Sequence, residues 1–260
     1  MPEDATQPAI SPDGKRVMYL RLPAPQRNEL WVADIDGRNK LKLVSGRFLN
    51  TGTWAPDNFH LGFFEKGTGA SDKAYVIGAD GSGLRQLPGL GSVNSMAWSP
   101  DQKSIYVTGE EKVGFVPTVW KVNTDSSKSE KLVDDCGIAT NVDPGGQYLL
   151  TLGDMTGIYE VSISDRKCIR LLPDVSTNSV TLAHDGKSFL YAVASRGEVT
   201  IFRQPWRDGK TIGMPQVALK VPFAFPFNYG GNAYDFSRDL STIVYVRPGG
   251  QADLYLLSQK

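Results

Sequence analysis

Four asparagines occupy the same slot of a repeating frame, and no other residues of this sequence combine type and spacing so well for binding. Asn50, Asn94, Asn178 and Asn232 each stand six positions before a marker residue, respectively Pro56, Pro100, His184 and Arg238; Thr6 and Ile138 hold the slot before Pro12 and Pro144. A carboxamide offers N–H donors and an acceptor oxygen, so a ring of them suits a peptide backbone or a polar small molecule. Asparagine also tolerates left-handed φ and caps the backbone ahead of a strand, which gives the pattern a purely structural alternative. An aromatic segment, Pro222-Phe223-Ala224-Phe225-Pro226-Phe227-Asn228-Tyr229-Gly230-Gly231, leads straight to Asn232, with Tyr234 just beyond. Tyr229 and Tyr234 join the asparagines as candidate ligand residues, because rings with a polar tip are enriched at binding hot spots. The competing role for Phe223, Phe225 and Phe227 is to plug a gap between repeats.

Catalytic constellations are missing from the sequence. It contains no Gly-x-Ser-x-Gly elbow, no glycine-rich phosphate loop ending in Lys-Ser or Lys-Thr, and no kinase signature. His60 and His184 sit on different repeats, away from Cys136 and Cys168; the first reads as solvent-facing and the second replaces a turn proline. Asp34-Ile35-Asp36-Gly37 is too short for a calcium loop and closes a hairpin instead. The neighbouring carboxylates Glu110-Glu111 and Asp134-Asp135 point apart into water if they lie on strands or loops. No catalytic residue, metal or cofactor is therefore expected. Two cysteines without a Cys-x-x-Cys spacing read as partly buried thiols, a bridge between them being the lesser alternative.

The elements that would position the asparagines follow from the repeat. Markers at 12, 56, 100, 144, 184 and 238 are spaced by 44, 44, 44, 40 and 54 residues, the period of a four-stranded propeller blade. Two residues before each marker stands an apolar side chain (Ile10, Trp54, Trp98, Val142, Leu182, Phe236) suited to packing between neighbouring blades. Five and seven residues after it come strand-spaced pairs such as Val17 with Tyr19 and Phe189 with Tyr191. Proline with preset φ, Asp or Ser that binds nearby amides, and Gly with positive φ make the intervening turn. Third strands end in polar turns and a fourth, more polar strand follows in every unit but the last. The expected architecture is all-β: one six-bladed propeller over residues 1–260, with blades at about 8–46, 50–89, 94–135, 138–174, 178–222 and 232–260. The last blade lacks its own outer strand, so either sequence upstream of Met1 completes it or that blade is three-stranded.

Charge excludes little but is informative: 28 basic and 28 acidic residues give a net charge of +0, with no long run of either sign, so nucleic acid is not an expected partner. No apolar stretch approaches the roughly 20 residues that span a bilayer, and Met1 is followed by Pro-Glu-Asp rather than a basic and apolar leader.

The units Ser11-Pro12-Asp13-Gly14-Lys15, Ala55-Pro56-Asp57 and Ser99-Pro100-Asp101, with segments like Leu30-Trp31-Val32-Ala33-Asp34-Ile35-Asp36-Gly37, resemble TolB-type (WD-like) propeller repeats over nearly the whole chain. His184, Arg238 and Gly145 depart from the pattern. The resemblance implies a six- or seven-bladed propeller, commonly extracytoplasmic or periplasmic, that binds proteins or peptides. Similar propellers form C-terminal domains of bacterial multidomain proteins, including membrane-anchored serine/threonine kinases and peptidases. The expected function is thus a non-catalytic sensor or scaffold that binds a protein or peptide as part of a larger bacterial protein. Alternatives are an accessory domain to a kinase or peptidase whose catalytic part lies outside this sequence, a glycosidase or lyase working in the central channel, and a spacer or oligomerisation surface.

Overall fold

The computed structural model describes residues 5–67, 72–110, 116–126, 128–153, 157–177, 179–195, 197–221 and 234–246, and the backbone of 254–258. Every regular element among them is a strand. The first sheet holds β1 (Ala5–Ile10), β2 (Arg16–Ala24), β3 (Arg27–Asp34) and β4 (Leu41–Gly46). The second holds β5 (Leu49–Trp54), β6 (His60–Glu65), β7 (Lys73–Gly78) and the short β8 (Arg85–Gln86). In the third are β9 (Ser92–Trp98), β10 (Ser104–Glu110), β11 (Thr118–Asn123) and β12 (Ser129–Asp134). The fourth contains β13 (Ile138–Val142), β14 (Tyr148–Leu152), β15 (Ile158–Ser162) and β16 (Lys167–Leu172). The fifth runs β17 (Val180–Leu182), β18 (Ser188–Ser195), β19 (Glu198–Arg207) and β20 (Lys210–Thr211), with β21 (Gln216–Val221) also paired to β19. The last is β22 (Tyr234–Phe236), β23 (Thr242–Val246) and β24 (Leu254–Ser258).

Five sheets are therefore complete blades of four or more strands, and the sixth repeat unit makes a three-stranded sheet. The expectation of six blades is corrected to five, while the expected lack of an outer strand in the last unit holds: among the described residues no strand pairs with the outer side of β24. The chain divides into two compact units, residues 1–93 with 225–260, and residues 94–224.

Three of the six hairpins between a unit's first two strands are closed by the same hydrogen bonds. Ser11 Oγ accepts the Arg16 amide at 3.0 Å and donates to Asp13 Oδ1 at 2.7 Å, which in turn accepts the Lys15 amide at 3.1 Å. Ser99, Asp101 and the amides of Lys103 and Ser104 repeat this at 2.7 to 3.1 Å, and Ser237, Asp239 and the amides of Ser241 and Thr242 do so at 2.6 to 3.0 Å. Where alanine replaces the serine, the aspartate works alone: Asp57 accepts the Phe59 and His60 amides, and Asp185 those of Lys187 and Ser188. The residue two after each marker is left-handed in all six turns: Gly14, Asn58, Gln102, Gly146, Gly186 and Leu240 have φ between 60° and 72°.

With register fixed by these turns, the second strand of each blade becomes the buried one. Alternation along β2 splits between two neighbours within the first unit. Met18 and Leu20 pack with Trp54, Leu61 and Phe63 of the second blade, while Val17 and Tyr19 pack with Val244 and Val246 of the sixth sheet. Both faces are covered, so β2 and β10 read as nearly continuous buried runs. The apolar residue two before the marker lies in these seams: Trp54 donates its indole N–H to the Ala9 carbonyl at 2.8 Å, and Val142 and Leu182 enter the equivalent clusters of the second unit.

Two features depart from the sequence reading. β19 is ten residues long and turns through Asp208 and Gly209 into β20, so part of the long fifth repeat is spent on an extra hairpin. Cys136 and Cys168 form a disulfide, Cα atoms 6.1 Å apart, where free thiols had been expected. The bridge joins the segment after β12 to β16, beside Leu132 and Val161, and closing a loop of this length stabilises by about 3 to 4 kcal/mol in the chain-entropy picture. A sequence offers no spacing rule for such a pair, because only strand pairing brings the two together.

The extra hairpin also covers a buried carboxyl. Glu160 on β15 is 1% exposed and accepts the Trp206 indole N–H at 2.9 Å. A Cβ on Gly209 would sit 2.5 Å from Glu160 Oε1, and with φ +75° only glycine fits there. Burial pushes the Glu160 carboxyl above its ordinary value.

Two tests follow from this architecture. Gln102→Gly relieves a left-handed non-glycine residue and is expected to stabilise by about 0.5–1 kcal/mol in thermal or urea unfolding. Because the fold favours protonated Glu160, its contribution is complete below the ordinary glutamate value and declines as pH rises through the elevated one. Glu160→Gln keeps the oxygen that Trp206 needs, and should gain about 1 kcal/mol over the wild type near pH 8 while losing that advantage near pH 4. An identical pH profile for both proteins would contradict this role.

Candidate functional site

The slot six residues before each marker is the start of the blade's first strand, as Asn50 and Asn94 show on β5 and β9. In the first unit Asn50 belongs to an amide cluster. Gln7 Nε2 donates to Asn50 Oδ1 at 3.2 Å, Asn50 Nδ2 donates to the Phe48 carbonyl at 3.1 Å, and Gln7 Oε1 accepts the Thr51 amide at 3.1 Å. Gln7 lies on β1 with φ +50°, so one first strand is tied to the next by side-chain amides. All three residues are half-buried. Asn50 thus serves the scaffold with one donor and its acceptor while remaining in reach of solvent.

Asn94, in the second unit, places Nδ2 3.4 Å from Glu110 Oε1 on the neighbouring β10. That unit carries further polar atoms on its first strands: Ser95 Oγ and Asn141 Oδ1 are buried without a hydrogen-bond partner. Such atoms are satisfied by water or by a ligand.

The remaining candidates divide into two groups. Tyr234 is only 4% exposed, its ring stacked on Phe236 with centroids 6.5 Å apart, and burial together with the Asp235 charge pushes its hydroxyl above the ordinary tyrosine value. It belongs to the wall of β22 rather than to a ligand surface. Asn178, Tyr229, Asn232 and the aromatic segment around them lie outside the described residues. Asn50 and Asn94 fall in different units, and each is described within its own.

Sequence reasoning missed two charged anchors at strand ends. Asp72 precedes β7 and is 6% exposed; its Oδ2 accepts Lys66 Nζ at 2.8 Å and the Val93 amide at 2.7 Å, and its Oδ1 accepts the Gly67 amide at 2.9 Å. Lys66 Nζ also donates to the Val93 carbonyl at 2.6 Å. Burial alone would push this carboxyl up, but Lys66 and the amides hold it below the ordinary aspartate value. The pair therefore clamps both ends of the 67–72 connection to the start of β9. Asp235 on β22 is the second anchor: its Oδ2 accepts the Ile10 amide of β1 at 2.7 Å and its Oδ1 the Phe236 amide at 2.9 Å, and burial pushes it up to about 6 against the pull of Arg238. Neither residue repeats from unit to unit, so no periodic signal marks it.

Metal and acid–base chemistry have little to work with among the described residues. No three His, Cys, Asp or Glu side chains converge there on a common point. His60 is exposed and binds Asp57 Oδ2 through Nδ1 at 2.6 Å, while Asp134 is occupied by Lys131 and Thr118 at 2.6 Å each. No helix of the described residues is long and apolar enough to cross a membrane.

No family model matches the sequence. Solved structures do match the fold. TolB from Acinetobacter baumannii superposes with a TM-score of 0.72 at 20% identity, covering 94% of this chain and 61% of that one. The chain thus spans about three fifths of the length of that relative. The putative TolB from Agrobacterium tumefaciens gives 0.64 at 17% identity over 86% of this chain and 83% of its own. The β-propeller domain of the Trilobed protease from Pyrococcus furiosus, described as having an open velcro topology, gives 0.60 at 17% over 97% and 81%. The chain has a TolB-like β-propeller fold.

The clamp can be tested directly. Asp72→Asn leaves the Lys66 ammonium, 38% exposed, beside a neutral amide, and is expected to cost about 2 kcal/mol in urea unfolding near pH 7. Since the Asp72 carboxyl is held low, its contribution is present above the ordinary aspartate value and vanishes as pH falls below it, so wild type and variant should converge in acid.

Proposed function

We propose that this chain is a non-catalytic propeller that binds a protein or peptide through the ends of its blades' first strands, as one domain of a larger bacterial protein. The observation that carries the reading is the Gln7, Asn50 and Thr51 cluster: half-buried carboxamides at strand starts, in which Asn50 Nδ2 spends one donor on the Phe48 carbonyl and keeps a second. Asn94 holds the same slot in the second unit, with Glu110 as its neighbour. Side-chain amides match the donors and acceptors of a peptide backbone, and their neutrality agrees with a chain of net charge +0. The likeness to TolB and to a peptidase propeller agrees with a binding role. The disulfide supports an oxidising, extracytoplasmic setting, since such bridges persist outside the reducing cytosol.

Affinity capture from a periplasmic extract tests the binding role. Asn50→Ala combined with Asn94→Ala should lower recovery of the proteins captured by the wild type about ten-fold, with the circular dichroism spectrum and Tm held. Capture that is unchanged by both substitutions would count against the strand ends as the binding face.

A further inference from the structure

The end of the first blade carries a surface cavity of about 430 Å³ lined by Pro25, Gln26, Arg27, Ser45, Gly46 and Arg47. Two of its six lining residues are arginines and none is acidic. Asn28 pairs with Gly46, the last residue of β4, and Arg27 and Arg47 are the next residues along the chain from that pair, Arg27 preceding Asn28 and Arg47 following Gly46. Two guanidinium groups lining one cavity favour an anionic partner there.

The protein itself does not supply that anion. Arg47 Nη2 donates to the neutral Gln26 Oε1 at 2.8 Å. Glu65, the carboxylate recorded against this segment, accepts the backbone amide of Arg47 at 3.1 Å instead of its guanidinium. Among the described residues neither Arg27 nor Arg47 has an ion-pair partner. Some exposed cations are paired (Lys42 with Glu29, Lys131 with Asp134, Arg166 with Glu130, Arg203 with Asp185 and Lys220 with Glu198, at 2.6 to 3.3 Å), whereas Arg27 and Arg47 share one cavity without a lining carboxylate.

The surroundings suit a peptide better than a bare ion. Phe48, next to Arg47, is 39% exposed, and Leu22 on the same hairpin arm as Pro25 is 46% exposed. The cavity is also joined to the amide cluster: the Phe48 carbonyl accepts Asn50 Nδ2, and Asn28 Nδ2 donates to the Leu49 carbonyl at 3.0 Å. A guanidinium is a planar fork that binds a carboxylate bidentately, and an apolar neighbour excludes water from such a pair.

We infer that the Arg27 and Arg47 cavity is a carboxylate-binding site for an acidic segment of the partner peptide. This deepens the binding role proposed above and rests on it, with the amides holding backbone and the arginines selecting charge.

Fluorescence anisotropy on the whole chain can separate the two ideas, using fluorescein-labelled Gly-Glu-Glu-Glu-Glu-Gly and Gly-Gln-Gln-Gln-Gln-Gly as probes. The glutamate peptide is expected to bind at least about ten-fold tighter than the glutamine peptide at low salt, with the difference shrinking as salt rises. Arg27→Gln with Arg47→Gln should erase that difference while leaving the glutamine peptide and the fold unaffected. Arg27→Lys with Arg47→Lys keeps the charge without the fork and should restore only part of it. Equal binding of the two peptides by the wild type, or a difference that survives the double glutamine variant, overturns the inference. Full displacement of the glutamate peptide by an equal concentration of inorganic phosphate also overturns it, by reducing the cavity to a small-anion site. If Asn50→Ala leaves the charge-dependent affinity intact, the arginine site stands and the amide role falls; if Asn50→Ala weakens both peptides alike and charge has no effect, the amide role stands and the arginine site falls.

Discussion

A serine hydroxyl that accepts one amide and donates to an aspartate two residues on sets the register of each hairpin it closes. Because the side-chain period of a strand is two, a slip of one residue would turn Met18 and Leu20 toward the sixth sheet and Val17 and Tyr19 toward the second blade. Those two sets differ in size, so the seams would not close. A bond contributing about 1 kcal/mol therefore directs the placement of seams containing far more burial energy. Asp57 and Asp185 keep the register where the serine is gone, and in the fourth unit, where Gly145 stands in the aspartate's slot, Asp143 in the serine's slot accepts the Gln147 and Tyr148 amides.

The repeat made this part of the fold legible. Turn residues and alternating apolar positions are local properties of the chain, and the strands lie where they indicate. Features that depend on which strand meets which were not legible. The Asp208 and Gly209 hairpin was hidden because its extra residues could equally have belonged to the aromatic segment that follows. Cys136 and Cys168 stand 32 residues apart and carry no mutual signature until β16 pairs with β15. Blade number fell short of expectation for a related reason, since a missing outer strand is easier to note in sequence than to replace.

The candidate site was half legible. Its asparagines were visible because they repeat, and Gln7 was not, because its role depends on φ +50° and on the next blade's first strand lying alongside. Lys66 and Asp72 read as ordinary surface charges in a loop, yet they are the firmest polar contact at that end of the first unit. Periodicity finds what every unit shares, whereas binding specificity rests on what one unit has alone. Arg27 and Arg47 are such a case: their slots show no pattern, and only the pairing of β3 with β4 brings them to one cavity.

The turn has a bearing on ancestry as well as on packing. Its bonds run from Ser11 to Arg16 and from Asp13 to Lys15, all within six consecutive residues, and ask nothing of any neighbouring blade. A stretch of gene encoding one unit therefore carries its own folding instruction when copied. Duplication can lengthen such a chain without first inventing a new corner, and each copy is then free to drift while one side chain still holds the turn's amides, as the alanines at 55 and 183 and the exchange to Asp143 and Gly145 already show.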